Sequence, residues 1–418
     1  MKNISISVFA ALAVCGNLTA GGVSGKPLSL EDIQAVGFRT INGESVVGSG
    51  NIEIPGSGDY KAAVNAADFG AAGDGATDDT AALAAALAEA KKSRKALYLP
   101  MTASGGAYLV SGPLTLEGAM TLSSALGVKL KAQSGDALKM KGSGARVSNL
   151  TVEAAQGAGI AVTEASDVIL RDVIVNAAVT DGIAVSGSSG IRLERVVVKN
   201  AASNAVRLGA GARNVHIREC LLALSPNGVY FDQNAAGAII VNNQIDCSRY
   251  ALAGTAFDKD APDLGATVAN NTFNAGGINL TGGIRLNITG NSFLHFKGDA
   301  IALQLSGSAE HPLRDSTVTC NTFGSFADSY SNPNGAIIVS GAEKLVIRGN
   351  VLRRMSDYYK AITGSGKVDI VVAGSKKVIV SGNSVEGAID VSSGNEGVVA
   401  SGNATVREEG YETSSVRR

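Results

Sequence analysis

Apolar residues recur along the middle of the chain at an interval of 23 residues. Four pairs of a small residue followed by Ile or Val have this spacing, and they begin at Gly159, Gly182, Ala205 and Gly228. A further apolar residue follows each pair at the same interval: Val162, Val185, Leu208 and Phe231. A fixed repeat of about 20 to 50 residues is typical of solenoids, in which each repeat forms one unit of a stack. The sequence therefore predicts stacked coils from about residue 135 onward.

The second half of each repeat has the same spacing. Two further sets of apolar residues lie 23 residues apart: Leu150, Val173 and Val196, and then Val152, Val175 and Val198. Alternate positions point to the same face of a strand, so each coil holds at least two strands with inward apolar residues. Stacking places equivalent residues about 4.8 Å apart on parallel neighbours. The predicted fold is all-β, a parallel β-helix.

Asparagine recurs at the turns of the later coils. It follows Gly or Asn just before a strand-like pair: Asn243, Asn271, Asn291, Asn350, Asn383 and Asn403. Asparagine tolerates left-handed backbone angles, and its amide can bond the next amide in a stack. These residues are therefore predicted at solenoid corners, without a catalytic role.

A helix is predicted ahead of the coils, within residues 68–92. From residue 79 the segment is rich in Ala and Leu and ends in two Lys, a strong helical composition. Asp78 or Asp79 can accept hydrogen bonds from the free N–H groups of the first turn, which explains these carboxylates better than catalysis does. Two β-forming runs, KALYLP and AYLVSGPLTLEG, follow the helix. The helix is expected to cover the open end of the stack, where an uncapped solenoid presents unpaired edges.

The N-terminal residues form a Gly-rich lead-in. Residues 40–54 predict two short strands joined by a turn, too small to make a core alone. Lys2 and the apolar run at residues 4–15 have the proportions of a signal peptide, although Leu18 and Val14 fit poorly beside a cleavage site or a lipobox. No apolar run is long enough for a membrane span. The predicted organisation is a lead-in at 1–60, a capping helix and first coils at 61–134, the β-helix at 135–405 and a polar C-terminal tail at 406–418.

Composition argues against several classes of function. The chain has 36 Lys and Arg against 37 Asp and Glu, so it lacks the basic surface expected of a nucleic-acid-binding protein. The four Cys have no C-x-x-C spacing and the three His are scattered, so neither a zinc site nor a redox motif is indicated. No cofactor and no metal is predicted.

The segment DFGAAGDGATDDT, with the helix and the YLP strand after it, resembles the opening of the pectate-lyase-like superfamily. This superfamily includes polygalacturonases, rhamnogalacturonase-like proteins and phage tailspikes. The resemblance covers residues 60–405 and implies a single-stranded right-handed parallel β-helix with an N-terminal capping helix. The motif residues are structural by this resemblance: Asp68, Gly70, Gly73, Asp74, Gly75, Asp78 and Asp79.

The upstream segment TINGESVVGSGNIEI is similar to a short motif common in bacteriophage tail fibres and tailspikes. This resemblance implies a homotrimeric virion appendage whose N-terminal part attaches to the phage tail. Its β-helix would then meet a polysaccharide of the host surface, either capsule or lipopolysaccharide.

A polygalacturonase-like enzyme carries Asn-Thr-Asp, then Gly-Asp-Asp one coil later, then Gly-His-Gly. Asp181 falls where the first aspartate would lie, but Ser203 and Asn204 stand in place of the acidic pair, and Pro226 and Asn227 in place of the histidine. Hydrolysis by that mechanism needs paired carboxylates, so it is not expected here, and Asp181 is better explained as a turn residue.

A lyase would need a base, often Lys or Arg, and usually a calcium ion or Arg to neutralise the uronate. No cluster of acids on adjacent coils indicates a calcium site. Arginines are numerous but are expected on solvated faces: Arg192, Arg195, Arg213 and Arg218.

The strand register suggests one outward patch. If the neighbouring Val, Leu and Phe residues point inward, Arg207, Tyr230 and Asp232 point outward from adjacent coils. An aromatic ring beside Arg and a carboxylate can stack on a sugar and bind its hydroxyls, although ordinary surface or a subunit interface is an alternative. Weaker candidates for sugar contact lie on later coils or in loops beside this face: Asp258, Asp260, Asp299 and Gln304. Asp232, Asp181 and Asp299 are the weak candidates for catalysis.

Three functions remain open at this point. The first is a phage tailspike or tail fibre that binds, and possibly cleaves, a bacterial surface polysaccharide. The second is a secreted pectate-lyase-like lyase or hydrolase. The third is a non-catalytic structural β-helix. The sequence indicates a virion or an extracellular location, and it does not name the glycan.

Overall fold

The computed structural model describes residues 63–102, 105–154, 156–232, 235–255, 265–294, 301–326, 334–354 and 368–407, with short strands at 40–41, 44–45, 410–413 and 416–417. The chain divides into two compact units, Met1–Lys61 and Ala62–Arg418. In the first unit, strands β1 (Thr40–Ile41) and β2 (Glu44–Ser45) pair antiparallel, with Ile41 opposite Glu44. This is the pair of short strands expected of the segment.

The second unit is a parallel β-helix of three sheets, and a typical coil contributes one strand to each. Sheet 1 has 13 strands: β7 (Leu114–Glu117), β10 (Leu138–Ser143), β13 (Ile160–Ser166), β16 (Ile183–Ser186), β19 (Asn204–Leu208), β22 (Asn227–Phe231), β25 (Tyr250–Thr255), β28 (Gly277–Thr281), β32 (Leu303–Ser306), β35 (Asn334–Ser340), β38 (Val368–Ala373), β41 (Ala388–Asp390) and β45 (Val416–Arg417).

Sheet 2 has 15 strands: β3 (Ala63–Asn65), β5 (Ala96–Leu99), β8 (Thr121–Ser124), β11 (Arg146–Ser148), β14 (Ile169–Arg171), β17 (Arg192–Glu194), β20 (His216–Arg218), β23 (Ile239–Val241), β26 (Thr267–Ala269), β29 (Gly283–Ile284), β30 (Asn287–Thr289), β33 (Leu313–Thr319), β36 (Ala342–Arg348), β39 (Ile379–Ser381) and β42 (Val399–Ser401).

Sheet 3 also has 15 strands: β4 (Asp74–Asp78), β6 (Ala107–Val110), β9 (Lys129–Ala132), β12 (Thr151–Ala154), β15 (Ile174–Asn176), β18 (Val197–Lys199), β21 (Leu221–Ala223), β24 (Gln244–Asp246), β27 (Thr272–Asn274), β31 (Ser292–Leu294), β34 (Thr322–Phe326), β37 (Val351–Arg354), β40 (Ser384–Val385), β43 (Ala404–Arg407) and β44 (Gly410–Thr413). Every pairing in the three sheets is parallel except the last of sheet 3, where β44 runs antiparallel to β43. The predicted all-β solenoid is confirmed, and two of its last strands, β44 and β45, lie in the segment expected to be a polar tail.

The solenoid begins with a helical cap. A 3-10 turn (Ala66–Phe69) follows β3, and helix α1 (Thr80–Ser93) follows β4. Along the chain, α1 stands between a strand of sheet 3 and a strand of sheet 2, where the later coils have a strand of sheet 1. It packs its buried residues Leu83, Ala86 and Ala90 toward β3, β5 and β7. Because β7 is the first strand of sheet 1, the helix lies against an otherwise open edge.

The motif ahead of α1 is held by its own carboxylates. Asp78 accepts a hydrogen bond from the Thr80 N–H at 2.9 Å and so caps the helix. Asp79 makes no such cap, because its buried carboxylate accepts from the N–H groups of Ala72 at 2.6 Å and Gly73 at 3.1 Å. Asp79 therefore fixes the loop that precedes the helix.

Asp74 organises the turn at residues 74–77, ahead of helix α1. Its carboxylate accepts from the N–H groups of Thr77 at 2.7 Å and Ala76 at 2.9 Å, and from the Thr77 hydroxyl. These hydrogen bonds lower the pKa of Asp74 to about 2. Positive φ angles occur at three motif glycines: Gly70, Gly73 and Gly75. At Gly73 a Cβ would also lie 2.9 Å from the ring of Tyr108, so only glycine fits.

The interior is a continuous apolar column. The predicted inward residues of sheet 1 are at most 2% exposed: Val162, Val185, Leu208 and Phe231. In sheet 3, Phe273, Phe293 and Phe323 stack on successive coils, with ring centroids 4.8 and 4.4 Å apart. Parallel register places like residues on like, so the core repeats along the solenoid axis.

Seven buried asparagines form a ladder at the corner between sheets 2 and 3: Asn243, Asn271, Asn291, Asn321, Asn350, Asn383 and Asn403. Each side-chain amide of the first six donates to the Oδ1 of the next asparagine at 2.9 to 3.0 Å. The same Oδ1 atoms also accept from the backbone N–H groups of the preceding asparagines at 2.9 to 3.0 Å. Six of the seven were predicted at corners from the sequence.

One buried carboxylate lies on the outer side of sheet 2. Glu194 accepts hydrogen bonds at 2.6 Å from Arg171 of the preceding coil and from Arg218 of the following coil. Burial alone would raise the pKa of Glu194, but the hydrogen bonds and charges of the two arginines together hold it below its usual value of 4.5. The bridge thus links three coils.

We expect Glu194→Gln to lower stability near pH 6 by about 1–2 kcal/mol and to have little effect near pH 3. The pKa of Glu194 is lower in the native state than in the unfolded state. Its carboxylate therefore stabilises the fold above the unfolded pKa, and this stabilisation is lost as the pH falls through the native pKa. Denaturant midpoints of wild type and variant at the two pH values measure this difference. Glu396→Gln is the matched control, because its bridge to Lys376 is exposed. An equal loss at both pH values for Glu194→Gln would contradict the linkage.

Candidate functional site

The outer face of sheet 1 carries a column of side chains in register. Arg207 on β19 pairs with Tyr230 on β22, and Tyr230 pairs with Ala253 on β25. The neighbouring Val206 and Val229 are fully buried, so Arg207 and Tyr230 point outward as the alternation predicts. Arg207 and Tyr230 therefore lie side by side on adjacent coils.

Arg207 connects two carboxylates. Its Nε and Nη2 donate to Oδ2 of Asp232 at 3.0 and 2.7 Å, and its Nη1 lies 3.8 Å from Oδ2 of Asp181. The hydrogen bonds and the negative charges raise the pKa of Arg207 further above its usual range. We call Asp181, Arg207, Tyr230 and Asp232 the Arg207 cluster.

A chain of amides supports the cluster from the corner that precedes sheet 1. Asn204 donates to Oδ1 of Asp181 at 2.7 Å, and Asn227 donates to Oδ1 of Asn204 at 2.9 Å. Asp181 and Asn204 are buried, so the Asn204 amide holds Oδ1 of Asp181 from the interior side while Oδ2 faces Arg207. Within the described residues, Oδ1 of Asn227 ends this chain without a hydrogen-bond donor.

The same outward column continues over later coils. Ala253 is in register with Asn279, and Asn279 with Gln304. Asn279 and Gln304 are partly exposed, so amide side chains extend the surface beyond Tyr230. The structure thus places Gln304 on the face suggested by the sequence. The weaker candidates Asp258, Asp260 and Asp299 lie outside the described residues.

The two carboxylates of the cluster are bridged by a guanidinium. In glycosidases the two catalytic carboxyl groups flank a gap that admits the glycosidic bond, with or without a water molecule. Here the guanidinium of Arg207 contacts both carboxylates and fills the space between them. Asp181 and Asp232 therefore position Arg207, and together with Tyr230 they offer hydroxyl acceptors beside an aromatic ring.

The sequence predicts Asp181 as a turn residue and a weak catalytic candidate, and the structure places it beside Arg207. A signal for this contact is the 23-residue spacing of Asp181, Asn204 and Asn227, which places them on one corner of successive coils.

The described residues contain no group of three or more His, Cys, Asp or Glu side chains that could hold a metal ion. Within the same part of the chain, no helix is both long and apolar enough to cross a membrane.

Comparisons with known proteins agree with this fold. Residues 63–138 match the family model described as rhamnogalacturonase A/epimerase, pectate lyase-like, and residues 105–245 match that of the right-handed β-helix region. No curated protein matches the chain.

Solved structures show the same architecture at low identity. PfbA, a surface adhesin of Streptococcus pneumoniae, is 16% identical with a TM-score of 0.63, over 84% of this chain and 94% of PfbA. A second structure of PfbA is 13% identical with a TM-score of 0.55, over 82% and 96%. The Dettilon tailspike protein is 16% identical with a TM-score of 0.52, over 85% of this chain and 68% of the tailspike. These likenesses establish the solenoid fold.

Proposed function

We propose that this chain, a right-handed parallel β-helix of the pectate-lyase-like type, recognises a bacterial surface polysaccharide through the outer face of sheet 1. The observation that carries the proposal is the Arg207 cluster. Tyr230 offers a ring on which a sugar can stack, and Asp232 and Arg207 beside it supply polar groups for sugar hydroxyls. Solenoids present extended surfaces suited to long ligands, and Asn279 and Gln304 continue the polar surface along the axis.

At this cluster the chain binds its glycan and does not hydrolyse it. The position of Arg207 between Asp181 and Asp232 supports this part of the proposal, because no gap for a scissile bond remains. An assay for new reducing ends and for unsaturated uronides, on each polysaccharide that binds, tests it. Cleavage abolished by Asp181→Asn or Asp232→Asn would overturn it.

We also propose that the protein is a homotrimeric appendage of the tailspike or tail-fibre type, attached to a phage tail through its N-terminal part. The segment TINGESVVGSGNIEI supports this assignment through its similarity to a motif of such proteins. Light scattering on the purified full chain would give the mass of three chains. A monomeric mass would overturn the trimer and favour a secreted protein.

Tyr230→Ala is expected to weaken binding to the recognised polysaccharide by about tenfold, because a stacked aromatic contact is worth about 1–2 kcal/mol. Binding of a panel of capsular polysaccharides and lipopolysaccharides, measured by calorimetry or glycan array, identifies the ligand and then compares the variants. Tyr98→Ala is the matched control, since Tyr98 on β5 is a partly exposed ring of sheet 2. Equal effects of the two substitutions would show that the Arg207 cluster is not part of the binding site. A wild-type protein that binds no glycan would overturn the proposed function.

A further inference from the structure

We infer that the Arg207 cluster selects neutral sugar residues and excludes hexuronates. This inference rests on the proposed function and narrows the class of its ligand. It departs from the pectin-like acidic glycans that the fold alone would suggest.

The first reason is that one bidentate edge of Arg207 is already occupied. Bidentate recognition of a uronate uses two parallel N–H groups on one side of a guanidinium. The Nε and Nη2 groups of Arg207 both donate to Asp232, at 3.0 and 2.7 Å, and Nη1 lies 3.8 Å from Asp181. A uronate at the Nε and Nη2 edge would have to displace Asp232, and one that approached Nη1 would meet the negative charge of Asp181.

The second reason is the net charge of the cluster. Two aspartates against one arginine leave an excess negative charge. The nearest basic residue of the same outward column, Lys139, is paired with Asp136 at 3.5 Å. Like charges brought together at a partly desolvated site are disfavoured, so an approaching uronate is repelled.

One more basic residue faces the same corner of the solenoid. Arg249 precedes β25, and its guanidinium lies 5.3 Å from the centre of the Tyr250 ring. Arg249 lies on the coil after that of Tyr230 and Asp232, so it is not a member of the Arg207 cluster. The cluster itself keeps two carboxylates and one guanidinium.

The third reason is that the available groups suit hydroxyls. Among the described residues, no side chain donates to Oδ1 of Asp232, which can accept a hydroxyl in a charge-assisted hydrogen bond. A neutral ring stacked on Tyr230 can donate a hydroxyl to this atom.

The experiment uses acidic capsular polysaccharides, each tested before and after chemical reduction of its carboxyl groups. Reduction changes a uronate into the corresponding neutral hexose and leaves the linkages unchanged. The full-length wild-type protein is expected to bind at least one reduced form about tenfold more tightly than its acidic parent. In Asp232→Asn, which leaves Arg207 with a single aspartate, the acidic form is expected to gain about tenfold relative to the reduced form.

Asp172→Asn is the matched control. Asp172 is paired with Arg195 on the neighbouring coil at 2.7 and 2.8 Å, the same kind of bridge on another face of the solenoid. Circular dichroism and a melting curve verify that each variant is folded. The control is expected to keep the wild-type preference.

Tighter binding of wild type to the acidic form would overturn the selectivity while leaving polysaccharide recognition intact. If Asp232→Asn kept the wild-type preference, the electrostatic origin of the selectivity would be overturned, and polysaccharide recognition would again be left intact. Binding to neither form of any polysaccharide would instead contradict the proposed function itself.

Discussion

Replacing Asn291 with Ala is expected to lower the free energy of unfolding by about 3–5 kcal/mol. The buried Asn291 amide donates to Val268 O at 2.8 Å and to Oδ1 of Asn321 at 2.9 Å. Its own Oδ1 accepts from both the backbone and the side chain of Asn271. Truncation leaves several buried groups without partners, and each of them costs free energy.

Urea unfolding followed by circular dichroism measures the change, together with hydrogen exchange of the amides near Asn291. The exchange data matter because a stack of coils can open locally before it unfolds as a whole. Asn176→Ala is the control, since the Asn176 side chain makes one exposed bond, accepted from the Asn200 amide at 2.9 Å. A loss no larger than that of the control would show that the ladder contributes little.

The second large effect is expected at the centre of the aromatic stack. Phe293→Ala should cost about 3–5 kcal/mol, because the ring is fully buried between Phe273 and Phe323 and its truncation leaves a cavity in the core. The substitution removes the apolar burial and the ring contacts with Phe273 and Phe323.

Thermal and denaturant midpoints measure this loss, and Phe69→Ala is the control because Phe69 is 37% exposed at the end of the first 3-10 turn. The control is expected to change stability by about 0.5 kcal/mol or less. Similar losses for the two variants would mean that the stack is loosely packed.

The 23-residue interval predicted the middle strands of sheets 1 and 3, because their inward residues are apolar and repeat at that spacing. Sheet 2 was harder to find. Its strand Arg192–Glu194 shows a single inward residue, Leu193, between two charged outward residues, so three residues give almost no pattern. The sheet 2 strand of each coil can be recognised only when the register of the whole stack is known.

One member of the ladder was missed for a local reason. Asn321 follows Cys320 and not Gly or Asn, and Cys320 adopts the left-handed conformation at φ 56 that glycine occupies in the next coil. The signal that identified the other corners was therefore absent. The candidate site could be predicted only in part, for a different reason. Asp181 and Arg207 meet only because a corner of one coil lies beside a strand of the next.

The asparagine ladder bears on where the sequence can gain or lose residues. Successive ladder asparagines are separated by 28, 20, 30, 29, 33 and 20 residues, yet their hydrogen bonds keep nearly the same length. Coils can therefore gain or lose up to 13 residues in their connections while the corner stays aligned. New connections beside sheet 1 can be exchanged without rebuilding the interior, so the specificity of the surface can diverge faster than the scaffold that carries it.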